Sequence, residues 1–354
     1  MKSLLRLLLK THYQKNNFQQ AQKEQGMTLV ELLIGSIMAF LIITPMLAFV
    51  VDMLNTDRRE QLKANTEQDI QAALDFIAQD LSQAIYIYDN NTINNPAPDG
   101  TPGIRTQLPN PPGDETPILV FWKRHQIRDA VSVNTVNRVL PKNCDPDKCN
   151  DAYVRSLVAY YVVTETNPNS IWCQPSGATC PSRIERYEIR EGVRNPGGSN
   201  TPATFYYNNT QVKEGQKADP AFNSNFNFRQ PRRNVTTTQA AVNALIPQVL
   251  VNYIDHTGGP QSDPQECEKA LGNPTATVPG QLAPVAVLES TLRVSNPVNN
   301  FYACVDTARN LARVTIRGNS LRRLQDSNVV STANNSAFFP TATVQVQGLG
   351  ARGQ

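Results

Sequence analysis

Two sets of side chains have types and spacings suited to chemistry: six cysteines and one isolated carboxylate. Cys144, Cys149, Cys173, Cys180, Cys267 and Cys304 all lie downstream of a long apolar run, and none lies before it. An even count confined to one part of an exported chain reads as disulfides. The spacing suggests that sequence neighbours pair, as Cys144–Cys149, Cys173–Cys180 and Cys267–Cys304, among many possible connectivities. Zinc is the rival use of these thiols. There is no Cys-x₂-Cys knuckle, however, and beyond residue 26 the histidines are His125 and His256. The isolated carboxylate is Glu31, which heads a stretch of twenty uncharged residues, Leu32 to Val51. A carboxylate at the edge of such a run is costly and points to a role.

Catalytic constellations are not found. Gly-x-Ser-x-Gly, Gly-x₄-Gly-Lys-Ser/Thr and His-Glu-x₂-His do not occur, and no two carboxylates are marked as facing each other. The chain therefore reads as a non-enzyme without cofactor or metal. Asp145-Pro146-Asp147 and Asp255/Asp263 carry oxygen ligands, but neither matches a calcium loop. Trp122, Trp172, Tyr160, Tyr161, Tyr206 and Tyr207 have the chemistry of a sugar-stacking surface, yet on strands such residues serve mostly as core. Arg313, Arg317, Arg322 and Arg323 form a basic cluster that reads as a solvated strand face.

Three kinds of element must position these groups. Residues 1–26 form a basic leader in which Lys2, Arg6, Lys10, Lys15 and Lys23 stand against Glu24. The chain's net charge of +3 belongs to this leader, and the rest carries about −1, so no nucleic-acid partner is expected. The same bias places the leader in the cytoplasm and everything after Asp52 outside. Residues 27–51 are the membrane half of a helix. Twenty residues of helix span about 30 Å, the thickness of a bilayer's hydrocarbon core. Gly35 and Ala39 make a small-x₃-small pattern for close helix approach, and Pro45 should kink or loosen the helix. Residues 52–88 continue as an amphipathic half. Ile70, Leu74, Ile77, Leu81, Ile85 and Tyr88 form an apolar stripe, with Asp69, Gln71, Asp75, Gln79, Asp80 and Gln83 between them.

Residues 89–117, rich in Pro, Asn and Gly, read as a loop. Strand character follows at Ile118–Trp122, Tyr153–Val163, Arg183–Arg190, Gln248–Ile254, Val285–Leu288, Ala312–Arg317 and Thr343–Gln347. The charged Arg183–Arg190 segment is expected to be wet on one face. Residues 89–347 thus form a β-rich, loop-rich head, and residues 348–354 read as a tail.

The segment Gly26-Met27-Thr28-Leu29-Val30-Glu31-Leu32-Leu33 resembles the class III leader junction of type IV pilins and pseudopilins. The order of parts agrees, because a cut after Gly26 removes the basic leader and keeps the apolar helix, unlike a secretory signal. The resemblance implies cleavage after Gly26 by a prepilin peptidase, methylation of the new amino terminus at Met27, and a fifth-position glutamate, Glu31, that serves assembly. Met27 stands where phenylalanine is commoner. A proline at the depth of Pro45 is familiar in the family. The large head is similar to that of bigger minor pseudopilins. More narrowly, Thr44–Asp52 and Lys63–Leu81 are similar to cyanobacterial pseudopilins of hormogonium polysaccharide secretion.

The resemblance implies an α+β, pilin-like lollipop, with one long amino-terminal helix packed on a β-rich head. It implies a single-pass inner-membrane protein whose head lies outside the cytoplasm and which enters a filament supporting export, of polysaccharide in the narrower comparison. Its partners would be prepilin peptidase, other pilins or pseudopilins, the inner-membrane assembly platform and membrane lipid. The presence of Glu31 speaks against the extreme tip position, since some tip subunits lack that residue. The alternative reading is a membrane-tethered module that binds glycan or nucleic acid.

Overall fold

Leu29–Ser82 forms one uninterrupted 54-residue helix, α1, as the long apolar and amphipathic stretch predicts. The computed structural model describes residues 28–111, 115–134, 136–198, 205–258, 263–277, 280, 283–295, 300–327 and 329–352. Two compact units divide inside α1, at Arg58 and Arg59. In the second unit α1 buries Thr66, Ile70, Ala73, Leu74, Ile77, Asp80 and Leu81. The expected stripe is therefore present through Leu81, with a carboxylate inside it that the sequence places on the wet face.

The helix ends at Ser82, short of the expected Tyr88. Ala84–Ile87 is instead strand β1, paired antiparallel with β2 (Pro117–Ser132) through Ala84↔Lys123 and Ile87↔Phe121. Ile85, Tyr86 and Ile87 are β-branched or aromatic, and the neighbouring strand supplies ladder partners that outweigh the continuing helical spacing. A five-stranded antiparallel sheet follows in chain order, β1-β2-β3-β4-β5, with β3 at Cys149–Thr164, β4 at Ser182–Arg190 and β5 at Gln248–Ile254. The expected loop between β1 and β2 is held by packing. Asp89 caps a one-turn helix, α2 (Asn90–Asn94), and Ile93, Ile104 and Leu108 are buried.

Two short helices flank β5, α3 (Gln239–Asn243) before it and α4 (Glu266–Ala270) after it, and the paired strands β6 (Thr275–Ala276) and β7 (Val285–Ala286) follow. A further turn of helix, α5 (Glu289–Leu292), leads into a four-stranded sheet of order β11-β10-β9-β8. Its strands are β8 (Arg293–Ser295), β9 (Phe301–Asp306), β10 (Leu311–Arg317) and β11 (Thr341–Gln347). The two larger sheets meet at the ends of β5 and β10, where Asp255 N–H donates to Arg317 O at 3.0 Å and Asn319 N–H to Tyr253 O at 2.8 Å. Gly318 lies at this junction. A Cβ there would stand 2.5 Å from Ile70 Cδ1 and 2.7 Å from Thr66 Cγ2, so glycine lets α1 pass this close without displacing either side chain. Apolar residues of the helix and of both sheets share one core.

Strand β4 is not wet on one face. Arg183, Glu185 and Arg186 are buried. Arg186 Nε and Lys123 Nζ each lie 2.7 Å from Asp80, and Tyr160 OH donates to the same carboxylate at 2.7 Å. Arg183 pairs with Glu185 at 2.7 Å and with Glu165 at 3.1 Å. Charge enters this sheet because each charge finds an opposite one, which is the condition for burying it.

Replacing Asp80 by alanine would leave two buried cations, Lys123 and Arg186, sharing the single carboxylate of Glu188, and would leave Tyr160 OH without its acceptor. The expected loss is about 3–5 kcal/mol of stability, read as the shift in a urea-unfolding midpoint of the full chain. A loss under about 1 kcal/mol would show that α1 does not depend on this contact.

Candidate functional site

The amino-terminal part of α1 is apolar on every side. Leu29 is 83 %, Phe40 71 % and Phe49 69 % exposed, and its other large hydrophobic residues through Leu54 are exposed as well. A helix apolar all round is either buried in protein or placed in lipid. This one has no residues of its apolar stretch buried in the chain and is long and apolar enough to cross a bilayer. Ser36 Oγ donates to Leu33 O, and Thr44 Oγ1 to Phe40 O, both at 2.8 Å, so the hydroxyls in this stretch are satisfied within the helix, as hydrocarbon requires. The helix runs through Pro45 without a break. Proline brings no N–H to the preceding turn, which removes one ladder bond there. Gly35 has no heavy atom within 4 Å of where its Cβ would stand, so the small-residue face at Gly35 and Ala39 is open.

Glu31 sits in the first turn, where its surroundings are local. Glu31 N–H donates to Thr28 Oγ1 at 3.3 Å, and Thr28 N–H donates to Glu31 Oε2 at 3.4 Å. This reciprocal arrangement is a capping box, and it sets a carboxylate at the positive end of the helix dipole. The sequence carries its signature, Thr-x-x-Glu directly before an apolar run, which the reading of Glu31 as an assembly residue passes over. Gly26 and Met27, the expected processing residues, lie outside the described residues.

In the second unit the six cysteines form three bridges between sequence neighbours: Cys144–Cys149, Cys173–Cys180 and Cys267–Cys304. The first closes the turn entering β3, the second a loop before β4, and the third ties α4 to β9. The basic cluster disperses. Arg322 is 1 % exposed and donates to the carbonyls of Pro175, Thr179 and Gln325. Arg317 pairs with Asp255 and Arg323 with Asp69, which leaves no convergent anion site among these four. The acidic candidates are likewise engaged, Asp145 with Lys148 and Asp263 with Lys269. Among the described residues, no three of His, Cys, Asp or Glu come together to hold a metal. Trp122, Tyr160 and Tyr161 are fully buried, and Trp122 stacks on Phe226 with ring centres 4.8 Å apart, so these aromatics belong to the core.

An open groove of about 530 Å³ runs between Thr101–Gln107 and Arg232–Gln239. Its arginines are committed to structure: Arg232 Nη2 donates to Asn95 O at 2.6 Å, and Arg233 Nη2 to Asp99 at 2.5 Å. Comparisons with known protein families, with curated proteins and with solved structures find no match to this chain.

The one strongly displaced acid in the buried charge network is Glu188. Burial alone would raise its carboxyl. Arg186, at 2.8 Å, and Lys123 outweigh that and hold it down at about 2. A depressed carboxylate stabilises the fold fully above its unfolded pKa, near 4.3, and loses that contribution as pH falls toward 2. Unfolding followed from pH 5 to pH 2 should show stability falling by about 2–4 kcal/mol from this group. The Glu188→Gln variant, less stable at pH 5, should show a correspondingly shallower fall. An identical pH dependence in both proteins would rule out Glu188 as its source.

Proposed function

We propose that this chain is a pilin-like minor pseudopilin, cut after Gly26, methylated at Met27, and assembled through the amino-terminal part of α1. The observation that carries the proposal is a bilayer-length helix, exposed and apolar on all sides, whose single acidic residue stands in its first turn beside the expected new amino terminus. In lipid, the box with Thr28 keeps that acid satisfied. In a bundle of such helices, the amine of a neighbour's Met27 is the natural counter-ion, and the pair forms only when both members are present. The open face at Gly35 and Ala39 suits close helix packing within the same bundle. Prepilin peptidase, fellow pilins, the inner-membrane assembly platform and lipid are the corresponding partners. On the narrower resemblance of Thr44–Asp52 and Lys63–Leu81, the filament would support polysaccharide export linked to gliding.

Glu31→Leu separates assembly from insertion. It should enter the membrane and be cleaved like wild type, yet appear in sheared filaments at about a tenth of the wild-type level or below, the effect of losing a charge pair worth about 1.4 kcal/mol or more. Thr28→Ala removes only the capping box and should assemble near the wild-type level. Equal incorporation of Glu31→Leu, or an equal drop in Thr28→Ala, would contradict a pairing role for Glu31.

A further inference from the structure

Sheet edges invite pairing with other chains, and proteins blunt them with short strands, bulges, charges or covering segments. Three of the four edges of the larger sheets are blunted here. Strand β1 is four residues long and bulged, and its Ala84 and Ile87 carbonyls accept from Asn310 Nδ2 and Thr307 Oγ1 at 2.9 Å. Strand β5 shifts register twice against β4 and is tied at Ile254 to Gly318. Strand β8 has three residues and carries Arg293.

Strand β11 has none of these devices. Thr341-Ala342-Thr343-Val344-Gln345-Val346-Gln347 has no charge, proline or glycine, and it pairs with β10 in unbroken register over all seven residues. The bonds flanking that ladder fix its parity. Gly348 N–H donates to Asn310 O and Gly318 N–H to Pro340 O, both at 2.9 Å, so the even-numbered residues of β11 bond to β10. Thr341, Thr343, Gln345 and Gln347 therefore direct their backbone N–H and C=O away from the sheet. Among the described residues, no backbone group takes them. The apolar row also stops half-covered: Ala312, Val314 and Ile316 on β10 are fully buried, while Ala342, Val344 and Val346 beside them are only partly so.

We propose that β11 is a strand-pairing interface and that its occupant is β11 of a second copy of this chain, antiparallel about a two-fold axis at Val344. The sequence is complementary to itself in that register. Thr341 faces Gln347, Thr343 faces Gln345, Ala342 faces Val346, and Val344 faces its counterpart. All four outward residues of each copy fall at hydrogen-bonding positions, which gives about eight interchain backbone bonds. No like charges meet, and the half-covered apolar row continues across the junction.

The test uses full-length protein in its native membranes, with a photoreactive benzophenone side chain at Gln347. The unmodified strand should yield an adduct of twice the chain mass, mapped to residues 341–347 of the second copy. Thr343→Lys with Gln345→Lys sets lysine against lysine across the proposed register and should reduce the adduct about tenfold. Thr343→Lys with Gln345→Glu sets lysine against glutamate and should keep it within about twofold of the parent. The two variants change the same exposed positions, so each controls for the folding of the other. An adduct only with a different protein, no adduct, or the same yield from both double variants would overturn the proposal.

Discussion

One carboxylate organises the second unit. Asp80, 6 % exposed on α1, accepts from Lys123 on β2, Tyr160 on β3 and Arg186 on β4, with each contact at 2.7 Å. Apolar packing alone tolerates sliding of a helix along a sheet, since the hydrophobic effect has no direction. Three donors from three adjacent strands, converging on two oxygens, admit one rotation and one axial position. The cost of burying these charges is offset only at that position, so the contact specifies the docking more than it strengthens it. Other features of the unit follow from the same constraint. The helix must come close enough for Gly318 to be needed at the sheet junction, and Glu188 joins the network to balance Arg186.

The amphipathic stripe, the β-rich head, most of the strands and the three neighbour bridges were legible in the sequence. Spacing of four and three identifies Ile70, Leu74, Ile77 and Leu81, and β-branched and aromatic residues give strand character to Tyr153–Val163 and Ala312–Arg317. Asp80 was not legible, because an aspartate among glutamines and aspartates looks like a solvent face until its partners, 43 to 106 residues away in the chain, are known. The same reason hid the charges of β4. Ala84–Ile87 was absorbed into the helix because Ile85 and Tyr88 happen to continue its period. Phe301–Asp306 is not among the expected strands, although every residue in it is buried. The expected tail begins as a held segment: Gly348 bonds Asn310 and lies against Ala84, a contact that no local pattern signals.

The candidate site shows a different balance. Its residues were visible from the start, because bilayer length, the lone carboxylate and the small-residue pair are all local properties of the sequence. The structure adds the capping box, which gives Glu31 a partner within its own chain. This makes the proposed assembly an exchange: a box bond to Thr28 for a salt bridge to a neighbouring amine. An exchange of that kind leaves no unpaired acid in lipid before assembly and favours the bundle once a cationic terminus is near. The candidate arginines, acids and aromatics placed above are engaged within the head itself, and among the described residues β11 leaves a regular backbone edge open.

The central functional claim rests on the chain being cut at Gly26. The most direct measurement is the mass of the amino-terminal peptide of the protein purified from its own cells. The account predicts a peptide beginning at Met27 with one added methyl group on its amine. A peptide beginning at Met1, or at any residue other than Met27, would contradict it and leave an anchored domain with no pilin-type assembly.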